Sequence, residues 1–393
     1  MTGARDPQGS CDPRFQRVRE VFAEQLAKPE ELGAAVAVTL DGRSVVDLWG
    51  GHADAARTRP WTADSLVNLF STTKGMTAIC AHRLADQGKL DLDAPVARYW
   101  PEFAQADKGD IPVRWLLDHS AGLPAVDAPL PPAAIYDWSA MTSALAAQAP
   151  WWEPGSAHGY HAMTFGWLVG EIVRRVAGRS VGRYFRDEVA GPLDADLWIG
   201  LPAERDASTA DLIPAPLPQV GDIRPGEKNF IAEILAQAKP YAIKAFLNPI
   251  VAGDAFNSRA WRAAEIPAAN GHGSARSLAR IYGALACGGS LDGVDVCSRE
   301  AIDRARSEQR RGPDNVIPVL PTCHALGFQL GTEAEPIGPN PRAFGHAGAG
   351  GSLGFADPEA RVSFGYAMNR MEIGLFLIGP RATALMNAVF ESL

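Results

Sequence analysis

A serine and a lysine three residues apart, Ser71 and Lys74, are the pair in this sequence best suited to nucleophilic chemistry. They lie in SLVNLFSTTKGMTAICAHRLADQGKL (65–90), where an apolar run leads into Ser71 and a helical pattern follows it. Positions i and i+3 share one face of a helix, so the Lys74 amine is expected to reach the Ser71 hydroxyl. The free N–H groups and positive dipole end of a helix start favour a neutral lysine, which can deprotonate the serine. Taken alone, the four residues STTK also fit a serine N-cap beside an exposed lysine.

A second serine, Ser352, lies in GGSLG (350–354), a literal G-x-S-x-G pattern. The serine-esterase elbow needs a strand, a sharp turn and a helix, with the acid and the histidine later in the chain. None of the eight histidines follows Ser352, and the residues after it predict a turn into a strand. The required order therefore fails. A convergent arrangement of Ser352 with His324 or His346 stays open, because triads are defined by geometry.

The sequence around Ser71 resembles the serine β-lactamase and penicillin-binding-protein superfamily, and most closely its family VIII carboxylesterases. Further segments continue the resemblance in the family's order: VRWLLDHSAGLP (113–124), WWEPGSAHGYHAMTFGWLVGEIVRRVAGRSVGRYF (151–185), NGHGSARSLARIYGAL (270–285) and FGHAGAGGSLGFADPEARVSFGYAMNRM (344–371). The ordered set is far more specific than any one motif. It implies a serine β-lactamase-like fold with an active site around Ser71.

Tyr160 matches the tyrosine of the family's Tyr-x-Asn motif, which here reads Tyr160-His161-Ala162 and lacks the asparagine. The resemblance implies that Tyr160 lies near Ser71 and Lys74 and relays the proton, as base and then as acid. We expect an adjacent positive charge to lower the phenol pKa from its usual value near 10. The structural alternative is a tyrosine that only packs at the end of a loop.

A third motif, His346-Ala347-Gly348, stands where β-lactamases carry Lys-Thr-Gly. Gly348 is expected to keep side-chain atoms off the backbone edge of the cleft. The family's geometry implies an oxyanion hole made by the backbone N–H groups of Ser71 and Ala349. Loss of the lysine and of the motif asparagine removes contacts for β-lactams and peptides, and this suits neutral esters.

Aromatic residues are frequent over 136–167, and some of them are expected to line an apolar acyl or alcohol pocket. Trp152 is the candidate singled out for that pocket. The others are Tyr136, Trp138, Trp151 and Trp167, and the sequence does not separate pocket residues from core residues.

Metal and cofactor motifs are not found in the sequence, so we expect neither a metal nor a cofactor. There is no His-Glu-x-x-His and no glycine-rich phosphate loop. His158 and His161 lack a third ligand at the usual spacing. We interpret both as supporting or surface residues.

Periodicity predicts an α+β fold with an antiparallel sheet built from both chain ends. A hairpin over 33–51 turns at Asp41-Gly42. The other predicted strands are 343–354 and 361–369, and the predicted helices are 13–29, Thr73–Gln87, Phe165–Ala177, Ser277–Cys287 and 380–392. We divide the chain into a discontinuous α/β domain (12–66 and 268–393) and a mainly helical insertion (67–267), with the active site between them. No clear strand is expected over 71–260, and 200–265 is predicted to form long loops.

Composition excludes several other classes of protein. The 393 residues are 47% apolar and 21% charged, as in globular proteins, and order is expected beyond the first dozen residues. A net charge of -8 without a basic run argues against nucleic-acid binding. The sequence has no run of 18 apolar residues, so we expect no membrane span. Five scattered cysteines and no secretory apolar region favour the cytoplasm. The expected partner is a small ester substrate, and a homo-oligomer stays possible.

These features predict a serine hydrolase that cleaves carboxylic esters, of short acyl chain, through an acyl-enzyme. Alternatives on the same fold are a β-lactamase, a D-amino-acid peptidase or amidase, and an acyltransferase. A third possibility is a non-catalytic binding protein. The joint retention of Ser71, Lys74 and Tyr160 argues against it.

Overall fold

The computed structural model describes residues 6–214, 239–251, 253–318, 320–372 and 377–393. Within these ranges the α-helices are α1 (Gln16–Ala27), α2 (Thr73–Asp86), α3 (Arg114–Leu117), α4 (Trp138–Ala147), α5 (Thr164–Ala177), α6 (Val181–Phe185), α7 (Pro240–Leu247), α8 (Arg259–Ala263), α9 (Ala275–Ala286), α10 (Arg299–Ala305) and α11 (Pro380–Glu391). The long helices predicted from periodicity are confirmed, with ends within a few residues of their predicted positions.

The strands are β1 (Gln8–Cys11), β2 (Gly33–Leu40), β3 (Arg43–Gly51), β4 (Val67–Asn68), β5 (Leu197–Ile199), β6 (Gly271–Gly273), β7 (Ser290–Leu291), β8 (Val294–Asp295), β9 (Arg310–Pro313), β10 (Pro321–His324), β11 (Gln329–Leu330), β12 (Phe344–Ala347), β13 (Leu353–Asp357) and β14 (Val362–Met368). Nine of them form one sheet in the order β1-β3-β2-β14-β13-β12-β11-β10-β9. All neighbours in that sheet are antiparallel. A smaller sheet has the order β4-β6-β5.

The large sheet joins the two ends of the chain at its centre. β2 pairs with β14 from Leu40↔Val362 to Ala34↔Met368. Every residue of β14 is buried, because α9 packs on one face of the sheet while α1 and α11 supply side chains to the core on the other. The predicted class, an antiparallel sheet from both chain ends flanked by helices, is confirmed. The domain boundaries after residues 66 and 267 stay a prediction.

Helix α2 lies at the centre of the helical part and packs against α5, α6 and α10. It is buried on nearly all sides, from Thr73 to Leu84. A helix buried all round is held by its neighbours rather than by an amphipathic face. Its first turn is therefore a rigid place for a reactive side chain.

Several strand predictions need correction. The single strand predicted over 343–354 is two strands, β12 and β13, because Gly350 and Gly351 take positive φ angles of 84° and 119° and turn the chain between them. β5 lies in the region where no strand was predicted. It has only three residues, which are too few to show an alternating pattern. The edge strand β1 lies inside the first dozen residues, and β9, β10 and β11 are too short to show a period.

Part of the region predicted as long loops, 200–265, contains the short helices α7 and α8. Residues 215–238 and 252 of that region lie outside the described residues. Nowhere in the described ranges is there a helix with the length and apolar character needed to span a bilayer. Each of the five cysteines is free.

Candidate active site

Ser71 stands at a sharp turn between β4 and α2. Phe70, directly before it, has a positive φ of 43°, which is rare for a large side chain. The turn is fixed by Thr73, whose Oγ1 donates to the Phe70 carbonyl at 2.5 Å and accepts from Gly271 N at 2.8 Å. Strained backbone of this kind persists only where its surroundings over-determine it. The turn presents Ser71 at the entry of a buried helix.

Lys74 reaches Ser71 as the i, i+3 spacing predicts. Its Nζ lies 3.1 Å from Ser71 Oγ, 2.7 Å from the Ala162 carbonyl oxygen and 3.0 Å from the Ala268 carbonyl oxygen. Lys74 is fully buried, and burial holds the pKa of its amine well below the usual 10.5. A neutral amine has two hydrogens, which the two carbonyls accept, and its lone pair is then left for the Ser71 hydroxyl.

Tyr160 lies beside this pair, with Lys74 Nζ 4.7 Å from the centre of its ring. Burial raises the pKa of the phenol, and the neighbouring Ser71 side chain offsets only part of that rise. The expectation of a lowered Tyr160 pKa is therefore wrong. It assumed a charged lysine, whereas burial favours the neutral form of both groups. Tyr160 is thus a protonated phenol that can give up a proton.

The two backbone N–H groups assigned to the oxyanion hole have no acceptor within the described part of the chain. Neither Ser71 N nor Ala349 N donates a hydrogen bond there. Ala349 is exposed in the turn between β12 and β13. Two free N–H donors are what a developing oxyanion requires, and their joint role stays a prediction.

Ser352 connects the β12–β13 turn to the residues around Ser71 through hydrogen bonds. Its Oγ donates to the Leu69 carbonyl at 2.8 Å and lies 3.0 Å from Thr72 Oγ1. The side chain is 1% exposed, and neither His324 nor His346 is among the hydrogen-bond partners of its hydroxyl. Ser352, the alternative nucleophile, therefore has a structural role in the contact between the β12–β13 turn and the start of α2.

Gly348 is needed for that same contact. A Cβ added there would lie 2.2 Å from Ser352 Oγ and 2.3 Å from the Leu69 carbonyl oxygen. Real Cβ atoms essentially never come so close to other atoms. The glycine thus lets two backbones meet, which is a tighter constraint than the open cleft edge expected from sequence.

His346 is buried, at 1% exposure, with its ring centre 6.1 Å from that of Tyr160. Its Nδ1 lies 2.7 Å from the Ala347 carbonyl oxygen, so Nδ1 carries the hydrogen. Its Nε2 has no partner among the described residues. Burial, with Lys74 nearby, lowers the histidine pKa well below its usual value. His346 is therefore a neutral acceptor where β-lactamases carry a cation.

Trp152 is half-buried and packs 5.4 Å from the Tyr241 ring on α7 and 6.2 Å from the His161 ring. It belongs to a small apolar cluster that also contains Tyr160. Trp167, in contrast, is wholly buried in the main core, and Trp138 binds Glu171 in a separate part of the helical region. Of the aromatic candidates, the structure thus places Trp151 and Trp152 in the cluster with Tyr160.

Comparison with known proteins identifies the family of this chain. The Beta-lactamase family model matches residues 18–385. This chain belongs to the Beta-lactamase family. The esterase/beta-lactamase LipL of Mycobacterium tuberculosis is 40% identical over 366 residues, which are 92% of this chain and 83% of that protein.

Two solved structures share the fold over nearly the whole length of this Beta-lactamase family chain. A family VIII carboxylesterase is 43% identical, with a TM-score of 0.90 over 98% of this chain and 100% of that one. A penicillin-binding protein homologue from Caulobacter crescentus is also 43% identical, with a TM-score of 0.89 over 99% and 100%. The resemblance to family VIII carboxylesterases is confirmed.

Sequence reasoning missed a cluster of buried polar groups around Tyr160. His119, His158, His161 and His324 are all buried there, together with Asp314. The surface interpretation of His158 and His161 is therefore wrong. Ligand atoms of His158, Asp314 and His324 lie within 4.8 Å of one another, an arrangement that could hold a metal ion. No local spacing joins residues 158 and 314, so the sequence carried no signal for this cluster.

Proposed function

We propose that this member of the Beta-lactamase family is a carboxylesterase that works through an acyl-enzyme on Ser71. The observation that carries the proposal is the buried Lys74 amine, which has two carbonyl acceptors and one hydroxyl neighbour. That set leaves a lone pair facing the nucleophile. The identity to LipL and to a family VIII carboxylesterase supports ester hydrolysis.

In acylation, Lys74 takes the Ser71 proton while Ser71 Oγ bonds to the ester carbonyl carbon. The Ser71 and Ala349 N–H groups receive the oxyanion. Tyr160 then donates its proton to the leaving alcohol oxygen as the C–O bond breaks, and the Lys74 ammonium returns a proton to Tyr160. Both groups end in the protonation state in which they began.

Deacylation follows the same route with water in place of the alcohol. Water passes a proton to Lys74 and attacks the acyl carbon. Ser71 leaves and takes a proton from Tyr160, which Lys74 again restores. The face of the Tyr160 ring, 4.7 Å from Nζ, stabilises the transient ammonium.

The preferred substrates are neutral esters. A carboxylate of a β-lactam would meet His346 Nε2, a lone pair, in place of a cation. Trp152 and Tyr241 offer an apolar wall for a short acyl chain. Weak β-lactam hydrolysis is the second candidate, because LipL is described as both esterase and beta-lactamase. We place the enzyme in the cytoplasm, which the free cysteines support.

Mass spectrometry of the protein after treatment with a fluorophosphonate tests the nucleophile. We expect one adduct, on the peptide that contains Ser71. Ser71→Ala should lose the adduct and at least about a thousand-fold in kcat on p-nitrophenyl butyrate. Ser352→Ala is the matched control and should keep both. An adduct on Ser352 in the wild type, or faster turnover of nitrocefin than of any ester, contradicts the proposal.

A further inference from the structure

The Asp314 carboxylate binds the main chain of Tyr160. Its Oδ1 accepts hydrogen bonds from Tyr160 N at 3.0 Å, Val316 N at 2.8 Å and Ile317 N at 2.9 Å. Asp314 is 2% exposed. Burial alone would raise the pKa of its carboxyl, but His324 and the N–H groups of Tyr160 and Ile317 together hold that pKa below its usual range. An ionised aspartate therefore fixes the backbone at the proposed proton donor.

The second oxygen of Asp314 connects to two histidines. Thr322 Oγ1 donates to Oδ2 at 3.2 Å, so the threonine oxygen is free to accept from His158 Nε2 at 3.0 Å. His324 Nε2 lies 3.6 Å from the same Oδ2. Thr322 and His324 both belong to β10, so the carboxylate ties the loop that carries Tyr160 to the large sheet.

The ring of His324 lies parallel to that of Tyr160, with 10° between their planes and 6.3 Å between their centres. His324 is 1% exposed, and neither of its ring nitrogens has a hydrogen-bond partner among the described residues. The imidazole also packs edge-on against His119 at 4.6 Å. It thus adjoins both the carboxylate and the phenol ring.

We propose that Asp314 and His324 are positioning residues that hold Tyr160 for proton transfer. The inference rests on the role proposed above for Tyr160. Asp314 fixes its main chain and His324 packs beside its ring, so the two act on different parts of one residue. Proton transfer needs oxygen atoms within about 3 Å of each other, and a displacement of about 1 Å costs roughly a hundred-fold in rate.

The polar contacts favour this arrangement over a metal centre. His158 Nε2 and Asp314 Oδ2 already share Thr322 Oγ1 as a partner, and Asp314 Oδ1 already accepts three N–H groups. A metal ion would have to displace the threonine contacts. Elemental analysis of the purified protein decides between the two arrangements.

Steady-state kinetics of Asp314→Asn, alone and combined with Tyr160→Phe, test the inference. We expect Asp314→Asn to lower kcat about tenfold with KM changed less than about twofold, since the asparagine keeps Oδ1 but loses the acceptor for Thr322. Asp314→Ala, which also loses Oδ1, should cost about a hundred-fold, and Asp314→Asn carries the test if the alanine variant does not fold. In the Tyr160→Phe background, Asp314→Asn should change kcat by less than about twofold, because the group it positions is gone.

Glu31→Gln is the matched control. Glu31 is another buried carboxylate, held by Tyr366 and Arg381, and its replacement should leave kcat unchanged. An equal loss from Asp314→Asn with and without Tyr160→Phe would show a general structural role and overturn the inference. So would one zinc per chain that a chelator removes together with activity. If Tyr160→Phe itself keeps wild-type kcat, the proposed function of Tyr160 fails, a result distinct from either.

Discussion

Lys74 and Lys108 are both buried, and they differ in one hydrogen-bond acceptor, a difference that matches the catalytic role proposed for Lys74. Lys108 Nζ donates to the backbone carbonyls of Gln105, Ala146 and Gln148, which occupy the three hydrogens of an ammonium. Lys74 has two carbonyls and the Ser71 hydroxyl. Burial lowers the pKa of Lys108 to about 8, which leaves it mostly charged at neutral pH. The count of carbonyl acceptors thus decides which lysine has a lone pair to use.

The pH dependence of kcat/KM should report the state of Lys74. The proposed active form is the neutral amine, so activity should rise with pH, and burial places the midpoint of that rise well below 10.5. Because the pKa of Tyr160 is raised above its usual 10, activity should hold on the alkaline side up to about pH 10. The measurement is the profile for a neutral ester from pH 5 to 10.

Lys74→Arg should abolish turnover, since a guanidinium does not deprotonate. Lys108→Arg, the matched control, should lower the midpoint of urea unfolding yet keep the acidic limb of the profile. An acidic limb centred near 10.5 would contradict the assignment of Lys74 as the base.

At the residue scale the sequence predicted the side chains but not their environment. The i, i+3 spacing was enough for Ser71 and Lys74. The carbonyls of Ala162 and Ala268 carry no side-chain signal, although they set the state of the lysine. The predicted direction of the Tyr160 pKa shift was wrong because a single motif does not show how deeply its residues are buried.

At the scale of elements, the β12–β13 turn packs against the residues just before α2 through Gly348 and Ser352. This contact places the Ala349 N–H next to the turn that carries Ser71. Gly348→Ala should cost at least about tenfold in kcat, because its Cβ would meet the Leu69 carbonyl oxygen at 2.3 Å and push the turn away. Ser352→Ala should lose about 1 kcal/mol of stability with little loss of kcat.

The double variant Gly348→Ala, Ser352→Ala separates the two contacts. Removing the serine hydroxyl relieves one clash but not the one with the Leu69 carbonyl, so kcat should stay as low as in Gly348→Ala. Full recovery of kcat in the double variant would show that the hydroxyl alone requires the glycine. Turnover of p-nitrophenyl butyrate and urea unfolding measure both effects.

The long helices could be predicted from the sequence, and the short strands could not. The helices α2, α5, α9 and α11 each have twelve or more residues, and their patterns gave their positions. Strands β9 to β11 have two to four residues, which is too few for an alternation to show. The merged prediction over 343–354 shows that glycines within an apolar run can mark a turn.

At the scale of the whole molecule, an ion pair through the buried Glu31 connects the last helix, α11, to the start of β2. Glu31, just before β2, accepts from Arg381 of α11 at 2.8 Å and from Tyr366 of β14 at 2.9 Å. Glu31→Gln should cost about 2 kcal/mol, because the partly buried Arg381 then loses one of its carboxylate partners. Urea unfolding measures the loss, and an unchanged midpoint would show that Glu372, 2.9 Å from Arg381, suffices alone.

The pairing of β2 with β14 also has a consequence for how the enzyme is made. On the ribosome, residues 33–40 emerge long before residues 362–368, and at ordinary synthesis rates the delay is of the order of tens of seconds. Until then β2 has β3 but lacks β14, so the strands β9 to β13, which carry the turn with Ala349, are not yet joined to β2. A nascent chain therefore displays Ser71 before the proposed oxyanion hole can form. On the proposed mechanism, the growing polypeptide stays inactive on esters until its last strand, β14, is translated.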